Sequence, residues 1–394
     1  MTVRTDIPGV ESYVLQETLS AYSDEAYTTA RKIGSTGLVS TNPLIDTGTE
    51  TMSGQIRWMK PLNPTINVAS LTDAADGDFT TFGSEFLTYI KSVRTHGASK
   101  VNMAEVVSRD DGLAKVGRDF GETRAQDEHN AVLAVLKGVA ISEAINGAAI
   151  GSTVTGLGGQ TFENDPEDKA YGFYVDLGSD PLVVNPTTAV QGASRAEGFL
   201  QAIGMAYKDY ESEYYYLIVS PEIYASLRSA NLVDSIIVTD GNIEFNTIFQ
   251  GKFRLIQTRA SQGMSTAELT KINTGAGVDI VGPKTSFVVR PGAVALNALS
   301  VPMPTEITRD GASYKGGGST NIFYRWGYVA APAGYDWAGD DTVFASDDSY
   351  RYVVEGGTPK ALTAASDVLA ATTGTWVRKS SSALSLGILP IFHS

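Results

Sequence analysis

Two glycine-rich stretches have residue types that bind phosphate, but neither has the spacing that this chemistry needs. Residues 277–282 are followed by Pro283, so a proline separates the last glycine from Lys284, whereas the phosphate loop of nucleotide-binding proteins places lysine directly after glycine. Residues 156–159 lack the third glycine of a dinucleotide-binding turn and do not open an evident helix. Neither stretch predicts a nucleotide site.

Few side chains are suited to acid–base or metal chemistry. The chain has no Cys and no Gly-x-Ser-x-Gly nucleophile turn, and its His residues do not have the spacing of metal ligands. The three His residues are His96, His129 and His393. Acidic clusters at 165–168 and 347–348 lack the alternating ligands and central glycine of a calcium loop. The sequence therefore predicts no enzyme, no cofactor and no metal ion.

The composition predicts a folded protein of mixed helix and sheet that does not hold nucleic acid tightly. Hydrophobic residues make up 42% of the 394 residues, and 40 Gly with 18 Tyr indicate many turns and many aromatic side chains in strands. The formal net charge is −14, whereas tight binding of phosphate backbones needs clustered Lys and Arg. The first residues lack an apolar signal segment, and no run approaches the roughly 20 apolar residues of a membrane span. We therefore expect synthesis in the cytoplasm and no membrane partner.

The longest predicted element is a helix from Val116 to Ile145. At about 1.5 Å per residue such a helix is roughly 45 Å long, which suits a structural spine more than a pocket. Its first half is charged, and its second half carries apolar residues at helical spacing, which predicts one buried face. These apolar residues are Val132, Val135, Leu136 and Val139. Glycines near the start predict a bend or a restart of the helix, because glycine weakens a helix interior. They are Gly112, Gly117 and Gly121.

An amphipathic helix and a two-stranded arm precede the predicted spine. The helix ends near Gly34, and its pattern fits packing on its own domain as well as on a neighbouring subunit. Residues 55–60 and 86–94 alternate like strands and flank a turn-rich segment, so they predict a long hairpin. Because an isolated hairpin is marginally stable in water, this arm should rest on another surface.

The rest of the chain predicts a second α/β unit and a further strand pair. A strand at Tyr214–Val219 runs into a helix that Ser220 caps and Pro221 begins. Strands at Pro304–Arg309 and Ile322–Val329 would lie along the spine. Other predicted elements are strands at 236–239, 253–258 and 286–290, a helix at Pro359–Ala371, and a docked apolar segment at 386–392.

Four stretches in a fixed order resemble a known family. They are Arg118 to Val139, Leu217 to Arg228 with its Ser-Pro-Glu turn, Gly334-Tyr-Asp-Trp337, and Trp376 to Ile391 with its Leu-Pro-Ile ending. In this order they resemble the major capsid proteins of tailed bacteriophages, which have the HK-ninety-seven-like fold. The resemblance covers most of the chain and implies an α+β protein.

The resemblance also implies how the chain is divided. Residues 1–45 would be the N-arm and 46–105 the extended E-loop hairpin, whereas 106–190 would hold the P-domain with the spine helix and the P-loop. Residues 191–300 would form the α/β A-domain, 301–335 the P-domain strands, and 336–394 the C-terminal part of the A-domain.

The function implied by the resemblance is assembly. The chain would form hexamers and pentamers of an icosahedral capsid shell around the double-stranded DNA genome of a tailed phage. Its partners would be further copies of itself, a scaffolding protein, a portal and a decoration protein. Packaged DNA would lie at the inner surface without sequence-specific binding, which suits an acidic subunit. The protein would then be located in the virion capsid.

Residues on the N-terminal helix, the arm, the charged half of the spine and the closing segment are candidates for contacts between subunits. They are Tyr13, Leu15, Leu19, Tyr22, Trp58, Met59, Lys60, Arg118, Arg124, Glu128 and Trp376.

Two other functions are left open by the sequence. One is the shell of an encapsulin-like nanocompartment, which would enclose protein cargo in place of DNA. The other is a hydrolase with a carboxylate pair that has no local signature, which two close, buried carboxylates in one concave pocket would support.

Overall fold

A computed structural model describes most of the chain in segments. The described residues are 10–31, 33–51, 53–59, 84–101, 112–146, 174–176, 214–229, 231–234, 237–240, 243–248, 250–258, 284–310, 318–337, 353–355, 358–360, 373–374, 376–379 and 387–393.

The helices of the described part agree with the predicted ones. They are α1 (Val10–Ala30), a 3₁₀ turn (Ile33–Ser35), α2 (Gly112–Asn146) and α3 (Pro221–Ser229). The predicted spine is thus confirmed as the 35-residue helix α2. At α3, Pro221 takes the first position and the Ile223 N–H donates to the Ser220 hydroxyl at 3.4 Å, so the predicted cap is confirmed as well. No helix within the described segments is both long and apolar enough to span a membrane.

Nineteen strands, numbered in chain order, are present among the described residues. They are β1 (Val39–Ser40), β2 (Ser53–Met59), β3 (Ser84–Ile90), β4 (Ser92–Val101), β5 (Val175–Asp176), β6 (Tyr215–Val219), β7 (Ile237–Asp240), β8 (Ile243–Ile248), β9 (Phe253–Gln257), β10 (Lys284–Val289), β11 (Val294–Ala298), β12 (Thr305–Asp310), β13 (Ser319–Pro332), β14 (Tyr335–Trp337), β15 (Val353–Glu355), β16 (Thr358–Lys360), β17 (Thr373–Gly374), β18 (Trp376–Arg378) and β19 (Ile388–His393).

A five-stranded sheet is built around β13. This strand pairs antiparallel with β4 along one edge and with β12 and then β11 along the other, and β1 extends the sheet beyond β11. Ile307 lies opposite Ile322, which confirms the predicted pairing of the two long strands. The predicted domain boundary at residue 300 falls between β11 and β12 of this one sheet, and the division into domains stays a prediction.

A seven-stranded sheet in the order β5-β19-β10-β6-β9-β8-β7 forms the second unit. The chain end is docked as predicted, because β19 lies between β5 and β10 and is buried along its whole length. Strand β6 is buried at all five positions and pairs parallel with β9. The mixture of helices and sheets confirms the α+β class.

The predicted helix at Pro359–Ala371 is wrong at its start. Pro359 lies in β16, an edge strand of the small sheet β16-β15-β17, where it stands opposite Val354. An edge position tolerates the missing N–H of proline, and the β-branched pair Val353 and Val354 favours the extended backbone of β15. Residues 361–371 lie outside the described part.

The predicted hairpin is confirmed as the antiparallel pair β2–β3, in which Ile56 stands opposite Leu87. Its connecting segment, 60–83, lies outside the described residues. Strands β14 and β18 form a further pair beside β3.

The apolar half of α2 joins the two sheets into one core. Val132, Leu136 and Val139 are fully buried in a cluster that also contains Tyr324 of β13 and Phe392 of β19. Helix α2 contacts β13, which confirms the prediction that the strand at 322–329 lies along the spine. A helix with contacts on both sheets fixes their relative positions, since packed interiors deform little.

The helix does not restart at these glycines, because α2 is continuous from Gly112 to Asn146, and the predicted bend stays a prediction. Gly117 and Gly121 lie where α1 crosses α2. A Cβ on Gly121 would overlap the Ser23 carbonyl oxygen and would lie 2.7 Å from the backbone nitrogen of Tyr27. These glycines therefore permit close approach of α1.

We predict that Gly121→Ala destabilises the protein by about 1–3 kcal/mol, because the added methyl group is forced into the backbone of α1. The sign of the stability change identifies the close crossing, because Gly→Ala inside a helix is otherwise stabilising by up to about 1 kcal/mol. Urea unfolding monitored by circular dichroism measures the effect, with Lys115→Ala, an exposed change nearby on α2, as the matched control. A Gly121→Ala protein as stable as the parent would contradict the close crossing.

Candidate assembly interface

Glu128 of α2 is a buried carboxylate that binds α1. The Tyr27 hydroxyl donates to the carboxylate, with its oxygen 2.7 Å from each carboxylate oxygen. The guanidinium Nε atoms of Arg31 and Arg124 lie 3.3 Å and 3.5 Å from the same group. Because the Glu128 side chain is only 5% exposed, its charge depends on these partners.

Arg124 extends this cluster to the five-stranded sheet. Its guanidinium lies 4.1 Å from the centroid of the Tyr27 ring, and its Nη1 donates to the Tyr324 hydroxyl at 3.2 Å. Burial, together with the Glu128 carboxylate, raises the pKa of the Tyr27 hydroxyl well above its usual value, so this hydroxyl remains a donor. One polar cluster therefore connects α1, α2 and β13.

Asp127, the preceding residue, bonds to the strands. Its Oδ2 accepts from the indole N–H of Trp326 on β13 at 2.8 Å and lies 3.6 Å from Nε of Arg94 on β4. Arg94 also donates to the Tyr328 hydroxyl at 3.3 Å. Consecutive carboxylates of α2 thus hold elements on two sides of the helix.

Near its C-terminal end, α2 is held to β14 and β18. The buried Glu143 carboxylate accepts from the Tyr335 hydroxyl at 3.1 Å and from Nη1 of Arg378 at 3.2 Å. The Ser142 hydroxyl donates to the backbone carbonyl of Trp376. The Trp376 ring is fully buried and meets the edge of Trp337 at a centroid distance of 5.1 Å.

These contacts change the interpretation of the predicted interface residues. Leu19, Arg124, Glu128 and Trp376 are held by other elements of the same chain, so their environment needs no neighbouring subunit. In the charged half of α2, Arg124 and Glu128 bond to β13 and α1, whereas Glu122 is exposed, and the role of this half in contacts between subunits stays a prediction. Other predicted residues are placed differently: Arg118 is exposed, Tyr22 is half-buried, and Lys60 and the side chains of Tyr13 and Leu15 lie outside the described part.

The base of the β2–β3 hairpin is anchored by a buried lysine. Lys91 Nζ donates to Asp46 Oδ2 and to the Gly48 carbonyl, at 2.7 Å each, and to the Thr51 hydroxyl at 3.2 Å. Within β3, the Thr88 N–H donates to Asp336 Oδ1 of β14 at 2.6 Å. The hairpin therefore joins the body rigidly at its base.

The outer face of the hairpin has no such support. Met59 is 55% exposed and Phe86 is 64% exposed. Arg57, two positions before Met59 on β2 and directly across from Phe86 on β3, is exposed as well. Trp58 is half-buried on the opposite face. Large apolar side chains on a projecting arm mark a contact surface. We call Arg57, Met59 and Phe86 the hairpin face.

Sequence reasoning missed Phe86 and the anchoring residues Tyr27 and Lys91. Strand alternation could have placed Phe86 on the face of Arg57 and Met59 once the register was known. Three of the partners of Glu128 and Glu143 had no local signal, since Tyr27, Tyr335 and Arg378 lie 101, 192 and 235 positions away in sequence.

A cleft of about 700 Å³ lies between α1, α2 and the end of β9. Its walls include Arg118, Glu122 and His129 of α2 and Glu25 of α1. Among the described residues, no three His, Asp or Glu side chains are grouped closely enough to hold a metal ion.

Solved structures similar to this chain include three phage capsids. The capsid of Ralstonia phage GP4 is 14% identical, with 78% of this chain and 86% of that chain covered and a TM-score of 0.43. The acidic stable capsid of Helicobacter pylori bacteriophage KHP30 is 11% identical, with 90% and 88% covered and a TM-score of 0.43. The capsid of Cyanophage P-SCSP1u is 11% identical, with 75% and 84% covered and a TM-score of 0.41. No protein-family model matches the chain, and no curated protein is significantly similar to it.

We predict that Glu128→Gln destabilises the protein by about 3–5 kcal/mol, because it leaves the Arg31 and Arg124 guanidinium groups without their buried anion. Urea unfolding measures the loss. Glu122→Gln, an exposed change on the same helix, is the control and should cost less than about 0.5 kcal/mol. Equal effects of the two substitutions would show that the cluster does not hold α1.

We also predict that the hairpin base weakens in acid. The hydrogen bonds from Lys91 and from the Gly48 N–H lower the pKa of Asp46. The stability that the Asp46 carboxylate adds to the hairpin base is therefore complete above the usual carboxylate pKa of about 3.9, and it is lost as the pH falls through the lowered pKa. Hydrogen exchange of residues 53–59 measures this. At neutral pH the amides of residues 53–59 should exchange more slowly in the parent than in Asp46→Asn. This difference should vanish once the pH lies below the lowered pKa of Asp46. A difference that persists in acid would contradict the role of Asp46.

Proposed function

We propose that this chain is a structural subunit that self-assembles, as hexamers and pentamers, into the icosahedral capsid shell of a tailed bacteriophage. The observation that carries the proposal is the hairpin face, because Met59 and Phe86 are exposed there, whereas the bonds that Thr88 and Lys91 make to the body lie at the base of the hairpin. An exposed apolar arm is unfavourable in a protein that works alone and is useful in one that is covered by a neighbour.

The body of the molecule supports the same proposal. Helix α2 holds α1, the five-stranded sheet and the β14–β18 pair through the carboxylates of Glu128, Asp127 and Glu143. This gives a rigid unit that is suited to the wall of a shell. The N-terminal helix, hairpin arm, spine and second α/β unit occur in the order that the capsid resemblance implies. In this proposal the domain ranges are those implied by the resemblance.

The buried carboxylates do not support the alternative of a carboxylate-dependent hydrolase. Glu128 and Glu143 are fifteen positions apart on one helix, about 22 Å at the helical rise. Acid and base carboxylates of glycosidases are separated by about 5–9.5 Å. Each of these two glutamates is also bonded to arginine and tyrosine.

The proposed partners follow from assembly. Further copies of the chain are the principal partner, and a scaffolding protein, a portal and a decoration protein would complete the particle. Packaged DNA would face the shell without specific contacts, since a net charge of −14 disfavours tight binding to phosphate. The chain would be made in the host cytoplasm and located in the virion.

Electron microscopy of the purified chain, alone and with a co-expressed scaffolding protein, tests the proposal. Closed shells tens of nanometres across are expected. The cargo then separates the two kinds of shell, because nucleic acid indicates a phage capsid and enzymes indicate an encapsulin-like compartment. A monomer under all conditions would overturn the proposal.

We predict that Trp58→Ala produces shells that dissociate at a lower temperature than the parent shells, because a half-buried side chain on the arm is covered completely only by a neighbour. Heating followed by light scattering measures shell loss, and unfolding of unassembled chains in parallel separates subunit stability from contact strength. Ile237→Ala, an exposed apolar change on β7, is the matched control. Equal heat stability of Trp58→Ala and parent shells would contradict a contact at the arm.

A further inference from the structure

A short loop surrounds the Lys91 ammonium group with oxygen atoms of three kinds. Lys91 Nζ lies 2.7 Å from Asp46 Oδ2, 2.7 Å from the Gly48 carbonyl oxygen and 3.2 Å from the Thr51 hydroxyl. A carboxylate, a backbone carbonyl and a hydroxyl of one stretch of chain therefore converge on one positive charge. We call residues 46–51 the oxygen loop.

The oxygen loop has the ligands and the geometry of a cation site. Carboxylates and backbone carbonyls of a short loop are the groups that hold hard cations in proteins. An ammonium group has three N–H donors, and the loop offers one acceptor to each of them. The Lys91 side chain is only 2% exposed, and a charge buried so deeply is stable only when its hydrogen bonds are made.

The backbone of the oxygen loop is fixed by bonds that do not involve the lysine. The Asp46 N–H donates to the hydroxyl of the buried Tyr89 at 2.9 Å, and the Thr47 carbonyl accepts from the Ser300 N–H at 2.9 Å. The Gly48 N–H donates to Asp46 Oδ1 at 3.0 Å. The oxygen atoms are therefore preorganised, and a cation that binds them loses little to ordering of the loop.

The site lies where the hairpin meets the body. The oxygen loop ends just before β2 begins at Ser53, and Lys91 directly follows Ile90, the last residue of β3. One cation thus ties the chain that enters the hairpin to the chain that leaves it. The Asp46 side chain is 65% exposed, so the site is open to solvent on its carboxylate side.

We propose that the oxygen loop is a binding site for a primary ammonium ion, and that Lys91 is its built-in ligand. When the lysine side chain is removed, a small primary alkylammonium ion from solution should bind in its place and restore the hairpin base. A simple ion pair between Lys91 and Asp46 would need only a positive charge. The oxygen loop instead selects a compact group with three N–H donors.

Chemical rescue of Lys91→Ala tests the site. Hydrogen exchange of residues 53–59 is measured on the unassembled chain, so a failure of the proposed self-assembly would not affect the result. Lys91→Ala should make these amides exchange at least about tenfold faster than in the parent. Added n-propylammonium, which matches the atoms that the substitution removes, should restore most of the protection with a Kd in about the millimolar range. The parent should not respond, because Lys91 fills its site.

Three matched controls identify the ligand and its place. In Lys91→Ala, n-propanol supplies the shape without the charge, and propyltrimethylammonium supplies the charge without N–H donors, so neither should restore protection. The double variant Asp46→Asn with Lys91→Ala should not respond to n-propylammonium. Equal rescue by n-propanol would show that packing of the alkyl chain is what matters, and an equal response of the double variant would show that the amine acts elsewhere. Either result overturns the proposal, as does the absence of any rescue.

A second variant tests the site without an added ligand and decides the question if Lys91→Ala does not fold. Lys91→Arg keeps the charge but replaces the compact ammonium with a planar guanidinium, which does not match three converging oxygen atoms. Residues 53–59 should exchange at least about threefold faster than in the parent, with an unchanged circular dichroism spectrum. Lys115→Arg, an exposed change on α2, should have no effect. Parent-like protection in Lys91→Arg would show that a simple ion pair is sufficient.

Discussion

A charged carboxylate cannot be buried without partners, and Glu128 meets this constraint by drawing three elements onto one point of α2. Tyr27 and Arg31 reach it from α1, and Arg124 reaches it from within the helix while also bonding to β13. Separating α1 from α2 would remove Tyr27 and Arg31 from the buried carboxylate, so these elements must remain together for Glu128 to stay buried with its partners. Replacement of the whole cluster by apolar residues need not weaken the fold, which means that the cluster specifies an arrangement more than it adds stability.

Close packing makes this polar cluster possible. Gly121 lets the backbone of α1 approach α2 so nearly that Tyr27, one turn beyond Ser23 on α1, comes within hydrogen-bond distance of Glu128. Farther along, the apolar half of α2 is buried between the sheets, and Glu143 repeats the pattern with Tyr335 and Arg378. Helix α2 thus acts as a spine through alternating apolar contact and buried ion pairing.

The rigid body and the exposed arm together explain why assembly is the proposed function. The hairpin is fixed at its base by Lys91 but exposes Phe86 farther out. A preorganised apolar surface on a closely packed body is suited to repeated contact with identical neighbours. An acidic net charge keeps such surfaces from binding nucleic acid indiscriminately.

Sequence by itself determined the elements whose signals are local. Periodicity predicted α2 to within a few residues, alternation predicted β2 and β3, and a Ser-Pro pair predicted the start of α3, because each pattern reflects the geometry of neighbouring residues. Tertiary structure decided the rest. Pro359 joined a strand because β15 was there to pair with it, Gly121 permitted a close helix crossing, and Trp376 and Glu128 were buried by residues of their own chain. Glu143 meets Arg378 across 235 positions, and no local pattern encodes which distant side chains will share one buried site.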